Sequence, residues 1–210
     1  MKLYSIAQSK RYRYQYRQFL RANANSPLVH VHCPKAGGTS LSSALCQVGP
    51  GHFPLKEVVR CRQVPIETIV TTVRSPADRM ISTFKYAHST HLASLHAPTW
   101  IVTRYVGVSE LICAPEFEAL VQHHYFFTPH STLLDGIDDI AANHVYLRFT
   151  HLEADAEKVL GLRLPRQNIG SDSGRSPQSL TLTDKAVDKL HNLYARDYEL
   201  LDTVTSLYQG

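Results

Sequence analysis

The sequence lacks the cysteine patterns that hold small secreted domains together or bind structural zinc. Its four cysteines are Cys33, Cys46, Cys61 and Cys113, and none of them stands in a CxxC pair or in a dense cluster. Disulfide scaffolds and structural zinc sites both depend on closely spaced cysteines. We therefore expect reduced thiols and no bound metal.

Long hydrophobic runs are missing as well. No stretch of about 18 uninterrupted apolar residues occurs, which is the length that a transmembrane helix needs. The first residues also lack the apolar core of a signal peptide. These absences predict a cytoplasmic chain without a transmembrane segment.

A strong charge of one sign is absent too. The formal net charge is only +4 at pH 7, and 19% of the residues are charged. So small an excess favours anionic partners mildly and does not indicate nucleic acid as a partner. What is present, 210 residues of which 43% are hydrophobic, is typical of one globular domain. We expect a single domain over residues 1–210, with residues 1–26 as a basic, tyrosine-rich N-terminal extension.

The N-terminal extension contains "KRYRYQYRQFLRAN", in which basic and aromatic residues alternate. Such a segment suits an anionic surface, a membrane face or a polyanionic acceptor. It equally suits a helix that packs its tyrosines on the domain and keeps its arginines in water. The sequence leaves both interpretations open.

Three short apolar segments predict strands, and each is followed by a helical pattern. "LVHVHC" at 28–33 alternates apolar residues with histidines and stops at Pro34, and "TSLSSALCQV" follows it as a helix. "ETIVTTV" at 67–73 is short and rich in β-branched residues, and Ser75 can cap a helix whose first residue is Pro76.

The third strand candidate is "HVYLRF" at 144–149. Thr150 and Glu153 form a capping-box pattern that would open the helix "HLEADAEKVLGL". "APEFEALVQHH" also has a helical pattern, and apolar residues from Val187 to Tyr208 recur at the spacing of one amphipathic C-terminal helix.

This alternation of strands and helices predicts the fold class. We expect an α/β domain with a central, mostly parallel sheet flanked by helices. Ligands of such sheets bind at the carboxyl ends of the strands. The residues after each strand are therefore the first place to look for a site.

The loop "PKAGGTS" at 34–40 has the composition of an anion-binding turn. Its glycines let the backbone approach a ligand closely, and the start of the following helix adds a partial positive charge. Lys35 supplies a full charge, and Thr39 and Ser40 supply hydroxyl donors. This combination suits a group such as phosphate, whose oxygens need several donors.

The order of residues in this loop argues against a magnesium-dependent nucleotide site. The loop GxxxxGK[ST] places lysine after the last glycine and is used together with an acidic residue at the end of a nearby strand. Here Lys35 comes before the glycines, and the strand at 67–73 is followed by Arg74. A metal-dependent kinase or ATPase is thus disfavoured.

Two segments of the sequence resemble motifs of a known family. "HCPKAGGTSL" resembles the 5'-phosphosulfate loop, often PKTGGTSL, of sulfotransferases that use 3'-phosphoadenosine-5'-phosphosulfate (PAPS). "VRSPADRMISTF" resembles their 3'-phosphate motif, typically LRdPveRxxSxY. The closer likeness is to the carbohydrate sulfotransferases, and it runs loosely from about residue 28 to 202. The resemblance implies a P-loop-like sulfotransferase fold, PAPS as the donor and adenosine 3',5'-bisphosphate (PAP) as the product.

The resemblance assigns cofactor-binding residues position by position. Those for the 5'-phosphosulfate are Lys35, Ala36, Gly37, Gly38, Thr39 and Ser40, and those for the 3'-phosphate are Arg74 and Ser82. Ser173 and Arg175 lie in "NIGSDSGRS", which could reach the 3'-phosphate as a C-terminal loop does in related enzymes. Two positions depart from the family pattern, because Ala36 replaces a threonine and Phe84 replaces a tyrosine.

Sulfuryl transfer to an alcohol also needs a base and a group that steadies the leaving phosphate. Lys35 suits the second role. His52 in "GPGHFPL" suits the first, since flanking glycines and a proline would expose its ring. His30 and His32 share one face of the first strand, where we expect a role in the core or at the sheet edge. His88 and His91 could line an acceptor pocket or be solvated.

The sequence therefore predicts a PAPS-dependent O-sulfotransferase that acts on a hydroxyl of a carbohydrate or another small molecule. Two alternatives stay open. One is a P-loop kinase of nucleotides or small molecules, which would require magnesium. The other is a non-catalytic module that binds anionic polymers through the basic N-terminus.

Overall fold

A computed structural model of the chain describes residues 14, 17–19, 21, 23–46, 52–60, 62–89, 99–165 and 179–209. The chain divides into two compact units. Residues 1–73 and 132–168 form one, which we call the sheet unit, and residues 74–131 and 169–210 form the other, the helical unit. The expectation of a single domain stays a prediction, and most of the N-terminal extension lies outside the described residues.

In the described part of the sheet unit, three parallel strands form a sheet in the order β1-β2-β3. They are β1 (Leu28–Val31), β2 (Thr68–Val73) and β3 (Asn143–Arg148). Helices flank the sheet, and the predicted mixed α/β class with a parallel sheet is confirmed. β2 pairs with a strand on both sides, which explains its run of β-branched, buried residues.

Among the helices of the described residues, the three longest, of 10 to 14 residues, belong to the helical unit. In chain order, the helices bounded within the described residues are α1 (Gly38–Ala44), α2 (Leu55–Val59), α3 (Pro76–Ser89), α4 (Thr99–Val102), α5 (Val108–Cys113), α6 (Phe117–His123), α7 (His130–Leu133), α8 (Leu152–Leu160), α9 (Asp184–Leu193) and α10 (Ala195–Leu207). Two 3-10 turns, Ile137–Asp139 and Phe149–His151, flank β3. Among the described residues no helix is long and apolar enough to cross a bilayer.

One face of the sheet carries the core that positions the loop after β1. Leu41 of α1 and Ala156 of α8 pack with Val70, Val145 and Leu147 of the two neighbouring strands. Val70 pairs in register with both His30 and Val145. Since residues in register point to the same face, His30 faces the helix that follows the loop.

The helical unit has a separate core built by α3, α5, α6 and α9. Its fully buried members include Phe84, Ile112, Phe117 and Leu190. Tyr194 closes this core, because its hydroxyl donates a hydrogen bond of 2.6 Å to the carbonyl of Phe127. Aromatic rings thus fill much of the interior of this unit.

Several predicted boundaries differ from those observed. β1 ends at Val31, two residues earlier than expected, because the chain turns away before Pro34, which has no N–H for the ladder. The predicted capping box was wrong, since α8 follows a 3-10 turn and its N-cap residue is His151 without a side-chain cap. The single C-terminal helix was also wrong, because Tyr194 separates α9 from α10.

Candidate active site

The turn between β1 and α1 has a strained backbone. Lys35 has φ 62° and Gly37 has φ 79°, both in the left-handed region. For a residue with a Cβ atom this conformation costs about 1–2 kcal/mol. Strain of this kind persists where the surrounding structure imposes it, and it concentrates at functional sites. Lys35, which is partly buried, is therefore the first candidate for a functional residue.

The two adjacent glycines of this turn are needed for different reasons. At Gly37, with its positive φ, a Cβ atom would lie 2.6 Å from Cδ2 of Leu152. At Gly38, a Cβ atom would lie 1.8 Å from Cδ2 and 2.3 Å from Nε2 of His32. The backbone of the loop therefore lies directly against the His32 ring. The sequence predicted the need for glycines but attributed it to a ligand alone.

His30 and His32 are both buried, as expected for residues of the core. Their rings stack with centroids 5.5 Å apart and an angle of 21° between their planes. Nδ1 of His30 lies 2.8 Å from the hydroxyl of Ser42 in α1. This contact ties the end of β1 to the helix that follows the loop.

His52 packs against His32, and its ring is partly buried rather than exposed as the sequence predicted. The two ring centroids are 4.5 Å apart. Nδ1 of His52 lies 3.1 Å from the carbonyl oxygen of His32. A carbonyl can only accept, so Nδ1 carries the hydrogen, and in the neutral ring the lone pair is on Nε2.

Burial lowers the pKa of His52 from 6.5 to about 4, and its hydrogen bond to the His32 carbonyl opposes this shift only in part. The ring is therefore neutral at neutral pH and able to accept a proton. A pKa this low makes it a weak base in the absence of ligands. An anion bound nearby would raise the pKa and make the ring a better one.

The residues predicted to bind the 3'-phosphate belong to the helical unit. Arg74 directly follows the last residue of β2, and Ser82 lies within α3. Both are partly buried. Burial lowers the pKa of Arg74, while the negative charge of Asp78 acts in the opposite direction. Phe84 is fully buried in the helical core, where a tyrosyl hydroxyl would need a hydrogen-bond partner.

Some predicted residues cannot be placed. Ser173, Arg175 and His91 lie outside the described residues. His88 is described, and its ring lies 4.5 Å from that of Phe84. In the part of the chain that the structure describes, no group of three His, Cys, Asp or Glu side chains could hold a metal ion.

Sequence reasoning missed an ion pair at the carboxyl end of β3. Asp155 accepts hydrogen bonds from the backbone N–H of Arg148 at 2.9 Å and from its Nε and Nη2 at 2.9 Å and 2.7 Å. Burial acts to raise the pKa of Asp155, but the bonds and charge of Arg148 outweigh it and lower the pKa. The pair braces the segment whose Phe149 and Leu152 lie against Gly37. An arginine at the end of a predicted strand was the available signal.

Comparisons of the chain with protein-family models, curated proteins and solved structures found no match. The family resemblance therefore stands on the two motifs themselves. What the sheet unit adds is geometry, since it brings a strained lysine, two constrained glycines and a neutral histidine together around one turn. A cation can steady an anionic leaving group, and a neutral imidazole can remove a proton.

Proposed function

We propose that this chain is a PAPS-dependent O-sulfotransferase with a P-loop-like sulfotransferase fold. The observation that carries the proposal is the turn after β1, where Lys35 is held in a left-handed conformation and Gly38 lies against His32, which in turn contacts His52. The acceptor would be a hydroxyl of a carbohydrate, as the resemblance favours, or of another small molecule.

The donor-binding residues follow from the loop and from the second motif. Lys35, the backbone of Gly37 and Gly38, and the hydroxyls of Thr39 and Ser40 would hold the 5'-phosphosulfate. α1 has only 7 residues, so the charge of Lys35 matters more than the helix dipole. In the second motif, the guanidinium of Arg74 and the hydroxyl of Ser82 suit the 3'-phosphate.

PAPS supplies an activated sulfuryl group, and PAP leaves when the group is transferred. The acceptor oxygen forms a bond to sulfur while the bond between sulfur and the 5'-phosphate oxygen breaks. Nε2 of His52 takes the hydroxyl proton, and Lys35 balances the charge on the departing phosphate. The Nδ1 hydrogen bond to the His32 carbonyl keeps the lone pair on Nε2 for this purpose.

The decisive test is to incubate the protein with PAPS carrying labelled sulfur and a panel of glycans and small alcohols. We expect label on an acceptor and heat from PAP binding in calorimetry. His52→Ala should lower the transfer rate by about 10²–10⁴-fold while the Kd for PAP stays within about threefold. The absence of both label transfer and PAP binding would reject the proposal, and magnesium-dependent ATP turnover in their place would select a kinase.

Lys35 offers a matched pair of variants that separates charge from strain. Lys35→Ala and Lys35→Gly both remove the cation, but only glycine accepts the left-handed backbone without cost. We expect both variants to bind PAP more weakly than the natural protein does. Lys35→Gly should unfold at a higher urea concentration than Lys35→Ala, because glycine relieves about 1–2 kcal/mol of backbone strain. A glycine variant that binds PAP like the natural protein would show that the lysine charge is not used.

A nuclear magnetic resonance titration tests where the donor lies. A bound anion near His52 should raise the pKa of its ring from about 4. We expect PAP to produce this shift and adenosine, which lacks both phosphates, to leave the titration unchanged. An identical curve with and without saturating PAP would place the phosphates away from His52.

A further inference from the structure

His32 makes more contacts around the turn than any predicted role required of it. Its ring lies against Gly38 on one side, so closely that a Cβ atom there would be 1.8 Å from Cδ2. The ring centroid of His52 is 4.5 Å away, and the His32 carbonyl accepts the Nδ1 hydrogen of His52. One residue thus touches both the donor loop and the proposed base.

His32 has little room to move. Its exposed fraction is 6%, and behind it stands the stacked ring of His30 at 5.5 Å. His30 is itself fixed by the 2.8 Å contact with Ser42 of α1. A buried ring enclosed in this way can shift only if its neighbours shift with it.

We propose that His32 is a positioning residue whose ring sets the distance between the donor loop at Gly38 and the ring of His52. The inference rests on the proposed function, because it assigns His32 a role in that reaction. His32 takes no proton in this scheme. It acts through His52, by keeping Nε2 of that ring at a fixed place beside the loop.

The size of the expected effect follows from the need for alignment. A misplacement of about 1 Å between reacting groups costs on the order of 10²-fold in rate. His32→Ala should therefore lower kcat by about 10²-fold, while the Kd for PAP changes by less than about threefold. A purely structural role would instead reduce the folded fraction, and with it PAP binding and rate together.

A double-mutant cycle with His52→Ala shows whether His32 acts through His52. In the His52→Ala background, His32→Ala should change the residual transfer rate by less than about threefold, because no base remains to be positioned. A further loss of about 10²-fold in that background would overturn the inference, since His32 would then act on its own. So would an unchanged kcat for His32→Ala alone.

Two measurements by nuclear magnetic resonance need no activity. In the natural protein, ring protons of His32 and His52 should give a mutual nuclear Overhauser effect, and its absence would overturn the inference even if every variant unfolded. In His32→Ala the pKa of His52 should rise from about 4 towards 6.5, since the ring that covers it is removed. Among the described residues, the ring of His32 faces His52 on that side, and the ring of His30 stacks on the far side of His32. An unshifted pKa in the variant would also overturn the inference.

The two kinds of readout separate this inference from the proposed function. If the natural protein transfers no sulfur from PAPS, the proposed function fails and the inference falls with it, whatever the resonances show. If transfer occurs and the variant is unaffected, the proposed function stands and only the role of His32 is lost.

Discussion

Two histidines, one in each unit, have the same lowered pKa and very different surroundings. Burial lowers the pKa of both His52 and His130 from 6.5 to about 4. His130, in the helical unit, lies beside Asp197, which raises its pKa, and Arg79, which lowers it. His52, in the sheet unit, lies beside a strained turn that carries a lysine. A lowered pKa therefore reports burial, and only the neighbouring groups indicate whether the ring has a chemical role.

The charged groups around His130 serve the fold of the helical unit. Arg79 donates to the carbonyls of Phe126 at 3.3 Å and Thr128 at 3.0 Å. Asp197 accepts the backbone N–H groups of His130 at 2.7 Å and Ser131 at 2.8 Å. The charged side chains of Arg79 and Asp197 thus form hydrogen bonds with backbone groups, and these bonds hold the segment before α7 in place. In the sheet unit, by contrast, the rings of His30, His32 and His52 lie together beside the loop after β1.

The largest effect should come from breaking the network in the helical unit. Arg79 is 1% exposed and lies 3.8 Å from Asp197, so Arg79→Met leaves a buried carboxylate without its cation. We expect the free energy of unfolding in urea to fall by about 3–5 kcal/mol. The control is Arg163→Met, because Arg163 and Glu157 are 93% and 65% exposed and 3.9 Å apart. That variant should change stability by less than about 0.5 kcal/mol, and equal effects would refute a structural role for Arg79.

Acid should test both histidines at once. Between pH 6.5 and about 4, each is neutral when folded and protonated when unfolded, so the unfolded chain binds more protons. The contribution of each histidine to the free energy of unfolding is therefore fully present above pH 6.5. It falls as the pH is lowered towards 4, by about 1.4 kcal/mol per pH unit for each histidine. Urea unfolding at several pH values measures this slope. His52→Gln and His130→Gln should each remove their own share, and a flat profile in the natural protein would contradict both pKa shifts.

Alanine substitutions at two glycines of the sheet unit should have the next largest effect on stability, and one of the two serves as the control for the other. Gly37 and Gly161 both have positive φ, 79° and 65°. A Cβ atom at Gly37 would meet Leu152 at 2.6 Å, whereas at Gly161 it would meet nothing within 4 Å. Gly161→Ala should cost about 1–2 kcal/mol from the backbone alone, and Gly37→Ala about 1–3 kcal/mol more from overpacking. Equal losses in urea unfolding would mean that Leu152 moves aside freely.

The sequence allowed the sheet to be predicted better than the site. β2 was predicted to within one residue, because a short run of β-branched residues that ends at the polar Arg74 and Ser75 favours a strand over other secondary structures. The break at Tyr194 was invisible, since apolar spacing continues across it and only the backbone changes direction. The burial of His52 could not be predicted either. It depends on the His32 ring, 20 residues earlier in the chain, which a local pattern does not report.

Substitutions at helix caps should have the smallest effect on the free energy of unfolding. They distinguish a capping residue that makes its hydrogen bond from one that only matches the sequence pattern of a cap. In the helical unit, the Thr183 side chain accepts the N–H of Ala186 at 3.4 Å at the start of α9. In the sheet unit, Thr150 has the sequence of a cap but its hydroxyl lies 2.9 Å from Nδ1 of His151 instead. Thr183→Ala should therefore cost about 0.5–1 kcal/mol of unfolding free energy, and Thr150→Ala clearly less. A larger loss at Thr150 would mean that the capping box forms in solution and that the α-helix after β3 begins at His151, one residue before the start of α8.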